Sequence, residues 1–188
     1  MHFDGHYWEY VSSPTFEAFE SVFMLAWDYG WAVGKAGSII RWNGTSWSAV
    51  TSPTEASLYS VFMFNSSDGW AVGSLGTIIR WNGTSWSNWT SPTTNSVTLS
   101  SVFIVNASDG WAVGSEIVQF YPSLEIEGII IHWNGTDWSI VERETSILRS
   151  VHMVSADDGW AVGSLGTVIS YHGTIFHWNG TEWSLAVI

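Results

Sequence analysis

One stretch recurs along this chain and constrains its fold more than any other feature: residues 60–87, SVFMFNSSDGWAVGSLGTIIRWNGTSWS. Ser21-Val22-Phe23-Met24 leads to Gly30-Trp31-Ala32-Val33-Gly34 and then to Arg41-Trp42-Asn43-Gly44-Thr45-Ser46-Trp47. The same order returns from Ser101 through Trp111 to Trp138, and from Ser150 through Trp160 to Trp183. Trp31, Trp70, Trp111 and Trp160 stand 39, 41 and 49 residues apart. A period near 40 marks a solenoid, a propeller or an array. Within one unit, apolar β-forming runs alternate with turn signals such as Asn65-Ser66-Ser67-Asp68-Gly69 and Asn82-Gly83, and no amphipathic helical period appears. Asn-Gly between two strand-like runs predicts a type I′ hairpin, since both turn residues must tolerate positive φ. Each repeat therefore reads as four short antiparallel strands, A to D.

Tryptophan placement turns this unit into an architecture. Thirteen of the fifteen Trp occupy three repeated slots, Trp27 and Trp89 being the exceptions. One Trp side chain buries about 150–250 Å², more than a lone four-stranded sheet can hide, so each slot needs cover from a neighbouring unit. Sheets of this size packed face to face around an axis form a β-propeller. Asp-Gly-Trp-Ala-Val-Gly followed by Gly-Thr-Ile-Ile resembles the repeat of photosystem II assembly factor-type propellers. Asn-Gly-Thr-x-Trp resembles a degenerate Asp-box, the C–D hairpin motif of sialidase-type propellers. The resemblance implies a fold and leaves function open, because propellers host unrelated activities. The basic patch expected of the photosystem factors has no counterpart, the only Lys and Arg being Lys35, Arg41, Arg80, Arg143 and Arg149. The arginine cluster a sialidase needs is equally out of reach.

The expected fold is all-β: one small β-propeller domain over residues 1–188, built of four-stranded antiparallel blades. Repeats span 21–59, 60–99, 100–149 and 150–188. Residues 1–20 form a C–D hairpin and linker, since Phe3-Asp4-Gly5-His6-Tyr7-Trp8 matches Trp42 to Trp47 slot for slot. Four blades plus an extra N-terminal hairpin is the first expectation, and five blades, one lacking its inner half, the alternative. Either way an unmated strand or edge invites a neighbouring chain, with Phe3, Tyr7, Trp8 and Tyr10 as the subunit contact. Head-to-tail contact that does not close gives a filament.

A net charge of −12 with five basic side chains excludes nucleic acid, where affinity rests on Lys and Arg at phosphates, and argues against an anionic membrane surface. There are no cysteines, which removes disulfides, thiolate metal sites and cysteine catalysis. No apolar run approaches the length of a membrane span. Met1-His2-Phe3-Asp4 lacks the basic and apolar regions of a signal peptide, so the chain is expected to be intracellular, a mature form, or an excerpt of something longer. Asn43, Asn65, Asn82, Asn88, Asn106, Asn134 and Asn179 each begin Asn-x-Ser/Thr. Four follow from hairpin chemistry. The rest favour an extracellular or cell-surface glycoprotein.

Insertions fall between strands B and C of the third and fourth repeats, and so on one rim. Glu116, Tyr121, Glu125, Glu127, Tyr171 and His172 form the candidate ligand patch there, carboxylates with aromatics that suit sugar rings or a protein partner. Most sequons fall on the opposite rim. Asp28, Asp68, Asp109 and Asp158 recur beside the Gly-Trp step and read as turn residues. Arg41, Arg80, His132 and His177 precede the C-strand Trp and read as their partners. Four equivalent carboxylates share one environment, whereas acid–base hydrolysis needs two environments, so no catalytic residue is expected. Nor is any metal or cofactor. The expected function is a non-enzymatic, extracellular structural or adhesive propeller that self-associates, in filaments or closed oligomers, by strand or hairpin donation. The alternative is a lectin-like carbohydrate- or protein-binding module using the B–C rim. A glycoside hydrolase comes third.

Overall fold

A computed structural model of the chain describes residues 1–3, 5–119, 125–165 and 172–186. A two-stranded hairpin, β1 (His2–Phe3) and β2 (Trp8–Glu9), precedes four meander sheets. Blade 1 comprises β3 (Phe19–Ala26), β4 (Tyr29–Gly34), β5 (Ile39–Trp42) and β6 (Trp47–Val50). Blade 2 comprises β7 (Leu58–Asn65), β8 (Asp68–Gly73), β9 (Ile78–Trp81) and β10 (Trp86–Asn88). Blade 3 comprises β11 (Val97–Asn106), β12 (Asp109–Gln119), β13 (Glu125–Trp133) and β14 (Trp138–Glu144). Blade 4 comprises β15 (Ser146–Ser155), β16 (Asp158–Leu165), β17 (Gly173–Trp178) and β18 (Trp183–Leu185). The molecule is a four-bladed β-propeller with an N-terminal hairpin, each blade an antiparallel A–B–C–D sheet in sequence order. Phe3 pairs with Trp8 as Trp42 pairs with Trp47 and Trp81 with Trp86, so the hairpin repeats the C–D register of the blades.

The turns differ from the type I′ expectation. Gly44, Gly83, Gly135 and Gly180 take positive φ, but the Asn before each does not. Asn43 Oδ1 instead accepts from the Thr45 and Ser46 N–H groups at 3.0 and 2.9 Å, and Asn82, Asn134 and Asn179 repeat the arrangement. The amide oxygen thus builds an Asx turn inside a four-residue loop, which frees Asn from the left-handed region that a two-residue turn imposes. Each C-strand indole then ties this loop to the A–B turn of its own blade: Trp42, Trp81, Trp133 and Trp178 Nε1 donate to the carbonyls of Trp27, Ser66, Ala107 and Ala156 at 2.9–3.0 Å. A–B and C–D turns therefore share one rim.

The core lies between blades. One apolar cluster joins blades 1 and 2, a second blades 2 and 3, a third blades 3 and 4. Among the described residues no such cluster joins blade 4 to blade 1. Exposure shows the difference at equivalent slots. Val61, Val102 and Val151 are each 4% exposed, while Val22 of blade 1 is 62% exposed. Trp31, Trp70 and Trp111 are at most 2% exposed, while Trp160 of blade 4 is 42% exposed.

Candidate functional site

The seam between blades is the most elaborated feature of the molecule. Strand B of each blade offers a tryptophan to the next. Trp31 sits between Trp81 and Trp86 at centroid distances of 4.7 and 5.4 Å. Trp70 meets Trp133 and Trp138 at 4.9 and 5.4 Å, and Trp111 meets Trp178 and Trp183 at 4.8 and 5.4 Å. The D-strand ring is met edge to face each time, at 87°, 85° and 79°, the geometry that the aromatic quadrupole favours. Two further contacts repeat near the axis. Ser21, Ser60 and Ser101 Oγ accept the N–H of Val61, Val102 and Val151 in the next blade at 3.2–3.3 Å. Phe23, Phe62, Phe103 and His152 stack in a ladder at 4.8, 4.7 and 4.6 Å.

The polar residues singled out in the sequence hold these rings in place. Arg80 bonds Asp68 through Nε and Nη2 at 2.9 and 3.2 Å, with its guanidinium 5.0 Å from the Trp70 ring. His132 and His177 Nε2 lie 2.8 Å from Asp109 and Asp158, and stack 4.4 Å from Trp111 and Trp160. Pairs that keep between 15% and 46% of their side-chain surface in solvent are partly screened and add modest stability by charge alone. Their effect is to back each donor indole so that it faces the next blade. Blade 1 departs from the expected pairing. Tyr29 takes the Asp slot, and Arg41 lies 4.6 Å over its ring and 5.6 Å from Trp31. Asp28 stands one residue earlier, where Ser67, Ser108 and Asp157 support the hairpin glycine of their own blades.

The B–C insertion of blade 3 extends β12 and β13 as a hairpin, pairing Glu116 with Glu127 and Ile117 with Ile126. Of the expected ligand patch, Tyr121 and Tyr171 lie outside the described residues. Glu125 and His172 are exposed. Glu116 is spoken for: it accepts from Thr94 Oγ1 at 2.8 Å, from Ser96 Oγ, and from Arg143 Nη1 at 2.9 Å, while Arg143 also lies 3.5 Å from Glu127. The Ser96 bond first, then Arg143 and Thr94, hold the Glu116 carboxyl below its usual 4.5, at about 2. A depressed folded-state pKa stabilises the fold above the unfolded value and loses that contribution as pH falls. Acid unfolding followed by circular dichroism is therefore expected to show a loss between pH 4.5 and about 2 that is shallower in Glu116→Gln. An identical acid profile for the variant would remove this role.

The sequon side chains are structural wherever the chain describes them. Asn65 and Asn106 Oδ1 cap the A–B turns through Ser67 and Ser108, as Asn43, Asn82, Asn134 and Asn179 cap the C–D turns. Asn88 differs, because its Nδ2, the atom a glycan would need, donates to Pro53 O at 3.1 Å. In the hairpin, Phe3, Tyr7, Trp8 and Tyr10 are all exposed by half or more, and His2 stacks 5.9 Å from Trp42. Among the described residues no three His, Asp or Glu side chains gather as a metal site, and no helix is long and apolar enough to cross a membrane.

Sequence reasoning did not single out Val22, Met24, Trp42, Trp47, Ser150, His152 and Trp160 as interaction residues. Their slots were legible in the repeat. That they lack a neighbour was not.

No protein-family model and no curated protein matches the chain. Solved propellers do. The structure of YCF48 bound to D1 peptide aligns at TM-score 0.53 and 16% identity, over 98% of this chain and 73% of that one. The RRP9 WD40 repeats align at TM-score 0.64 and 12% identity, over 92% of this chain. This chain spans about half (52%) of that structure. The computationally designed Ika4 protein aligns at TM-score 0.62 and 12% identity, over 92% of this chain and 98% of its own. An ancestral GH74 enzyme aligns at TM-score 0.60 and 14% identity, over 90% of this chain and 27% of that one. With WD40 repeats, an assembly factor, a designed protein and an enzyme among the matches, the likeness is one of fold: the chain is a β-propeller that resembles photosystem II assembly factor-type and WD40 propellers at the level of architecture.

Proposed function

We propose that this protein is a non-enzymatic structural or adhesive propeller that works outside the cell by associating with copies of itself. One observation carries the reading: apolar faces buried between the middle blades are bare on blades 1 and 4. Large uncovered apolar surface on a folded protein marks an interaction site. The exposed hairpin residues Phe3, Trp8 and Tyr10 add a strand-donating element. The sequons at Asn43, Asn65, Asn82, Asn106, Asn134 and Asn179 cluster on the A–B and C–D rim, which leaves the opposite rim and the end faces clear of glycan. Light scattering after size exclusion, over a concentration series, tests the reading. Species larger than one chain are expected, growing with concentration, and deletion of residues 1–11 is expected to weaken them about tenfold or more. A single-chain mass at every soluble concentration would sink it.

A second reading keeps the B–C rim as a binding surface for glycans or a surface protein. It is favoured by the exposed Glu125 and His172 beside the extended β12–β13 hairpin and by the peptide held on the YCF48 propeller. A glycan or peptide array on the monomeric protein distinguishes it from self-association.

A further inference from the structure

The two bare faces are the two halves of one seam. Blade 4 presents Trp160, Val162 and His152, held as their counterparts are in the buried seams. Trp160 stacks on His177 at 4.4 Å, the distance at which Trp111 stacks on His132. Blade 1 presents the receiving side. A cavity of about 470 Å³ opens before Trp42 and Trp47, bounded by Val22, Met24 and the hairpin residues His2 and Trp8. In every buried seam the equivalent space is filled by a B-strand tryptophan from the preceding blade. Ser150 is the fourth of a series whose other members, Ser21, Ser60 and Ser101, each accept the N–H of the next blade's valine. Val22 holds the matching valine slot of blade 1, and among the described residues no serine of another blade accepts its N–H. His152 ends the aromatic ladder that Phe23 begins.

We propose that blade 4 of one copy stacks on blade 1 of a second copy, head to tail, with Trp160 entering the cavity before Trp42 and Trp47. Ser150 then accepts the Val22 N–H and His152 packs on Phe23, as in the seams inside each chain, with the hairpin drawn back from Trp42, where His2 lies 5.9 Å away in the single chain. The occupant is a second copy because each face matches the chemistry of the other and, among the described residues, no other surface carries both. The contact is heterologous, so it closes as a ring of chains or runs on as a filament. This inference rests on the self-association reading above and adds its geometry: face stacking, with the hairpin giving way at the socket.

Trp160→Lys removes the inserted ring and Val22→Lys blocks the receiving face. Val22 is 62% and Trp160 42% exposed in the single chain, so both variants are expected to keep the circular dichroism of the diluted protein and to lose less than half the stability that Trp70→Ala loses. Each change also adds one positive charge to a net charge of −12, so lost association cannot come from added repulsion. Each variant alone is expected to associate at least tenfold more weakly. Mixed in equal amounts they are expected to form a heterodimer and nothing larger, since one intact seam remains. Wild-type association that neither variant alters overturns the seam while leaving self-association standing. A wild-type protein that stays monomeric overturns both. Variants that lower the melting temperature of a monomeric wild type as far as Trp70→Ala does show that blades 4 and 1 close within one chain, which overturns the second copy as occupant.

Discussion

Trp70→Ala is expected to cost about 3–5 kcal/mol of folding stability, the range for deleting a fully buried Trp or Phe ring from a core. For a domain of this size that lowers the melting temperature by roughly 10–15 °C. Trp70 is 1% exposed and touches four groups at once. Trp133 and Trp138 hold it from blade 3, Trp89 lies 5.3 Å away at 76°, and Arg80 lies 5.0 Å over its face. Truncation leaves a void that strands from two different sheets would have to shift together to close, and well-packed interiors collapse only in part. The informative comparison is Trp160→Ala, which removes the same residue from the same slot of the repeat. Trp160 is 42% exposed in this chain, so diluted protein is expected to lose less than half as much. Thermal unfolding of both variants by near-ultraviolet circular dichroism measures the contrast. Equal losses at the two slots would mean that Trp160 is buried in solution, and the open face described above would be wrong.

Gly114→Ala is expected to cost about 3 kcal/mol, the upper part of the usual range for overpacking. A Cβ at Gly114 would lie 2.0 Å from Thr98 O and 2.8 Å from Leu99 Cα. Both are backbone atoms of the neighbouring inner strand, so no rotamer change relieves the clash. The register between β11 and β12 shifts between Leu99 and Ser101, a bulge of the kind that bends a strand and increases its twist. The bend brings the Thr98 carbonyl onto the face of Gly114. The same approach recurs at Gly34, Gly73 and Gly163, each 2.0–2.1 Å from a carbonyl, so the constraint belongs to the blade and not to one site. Gly173→Ala is the matched control: a Cβ there meets no described residue within 4 Å, and a change within about 0.5 kcal/mol is expected. Urea unfolding of the two variants settles the point. A Gly114→Ala protein as stable as wild type would show that the inner strands are free to move apart.

The repeat carried most of the fold into view. Gly-Trp steps 39, 41 and 49 residues apart, the Asn-Gly turns and the absence of helical periodicity led to four four-stranded sheets, because strand identity and turn chemistry are local properties of a few consecutive residues. The pairing of Arg80, His132 and His177 with the aspartates was legible for the same reason, since each pair spans adjacent strands of one blade. Where the repeat frame slips by a residue the reading failed: Asp28 looked equivalent to Asp68, but Tyr29 occupies that slot and Arg41 stacks on a ring instead of a carboxylate. Glu116 looked free for a ligand because nothing in its neighbourhood along the chain foretells Thr94, Ser96 and Arg143. These lie 20 to 27 residues away and arrive only when the preceding loop and strand D fold beside the extended hairpin.

By itself the sequence determined that tryptophans at matched slots call for cover from neighbouring sheets, and hence a propeller, with four blades and a spare hairpin as the first expectation and five blades as the alternative. Only the tertiary structure decided which tryptophans are hidden. Trp111 and Trp160 stand in the same motif, behind the same Asp and His, and no local pattern separates them. One is covered and the other bare because burial depends on whether another blade follows, a property of the assembled molecule and not of the motif.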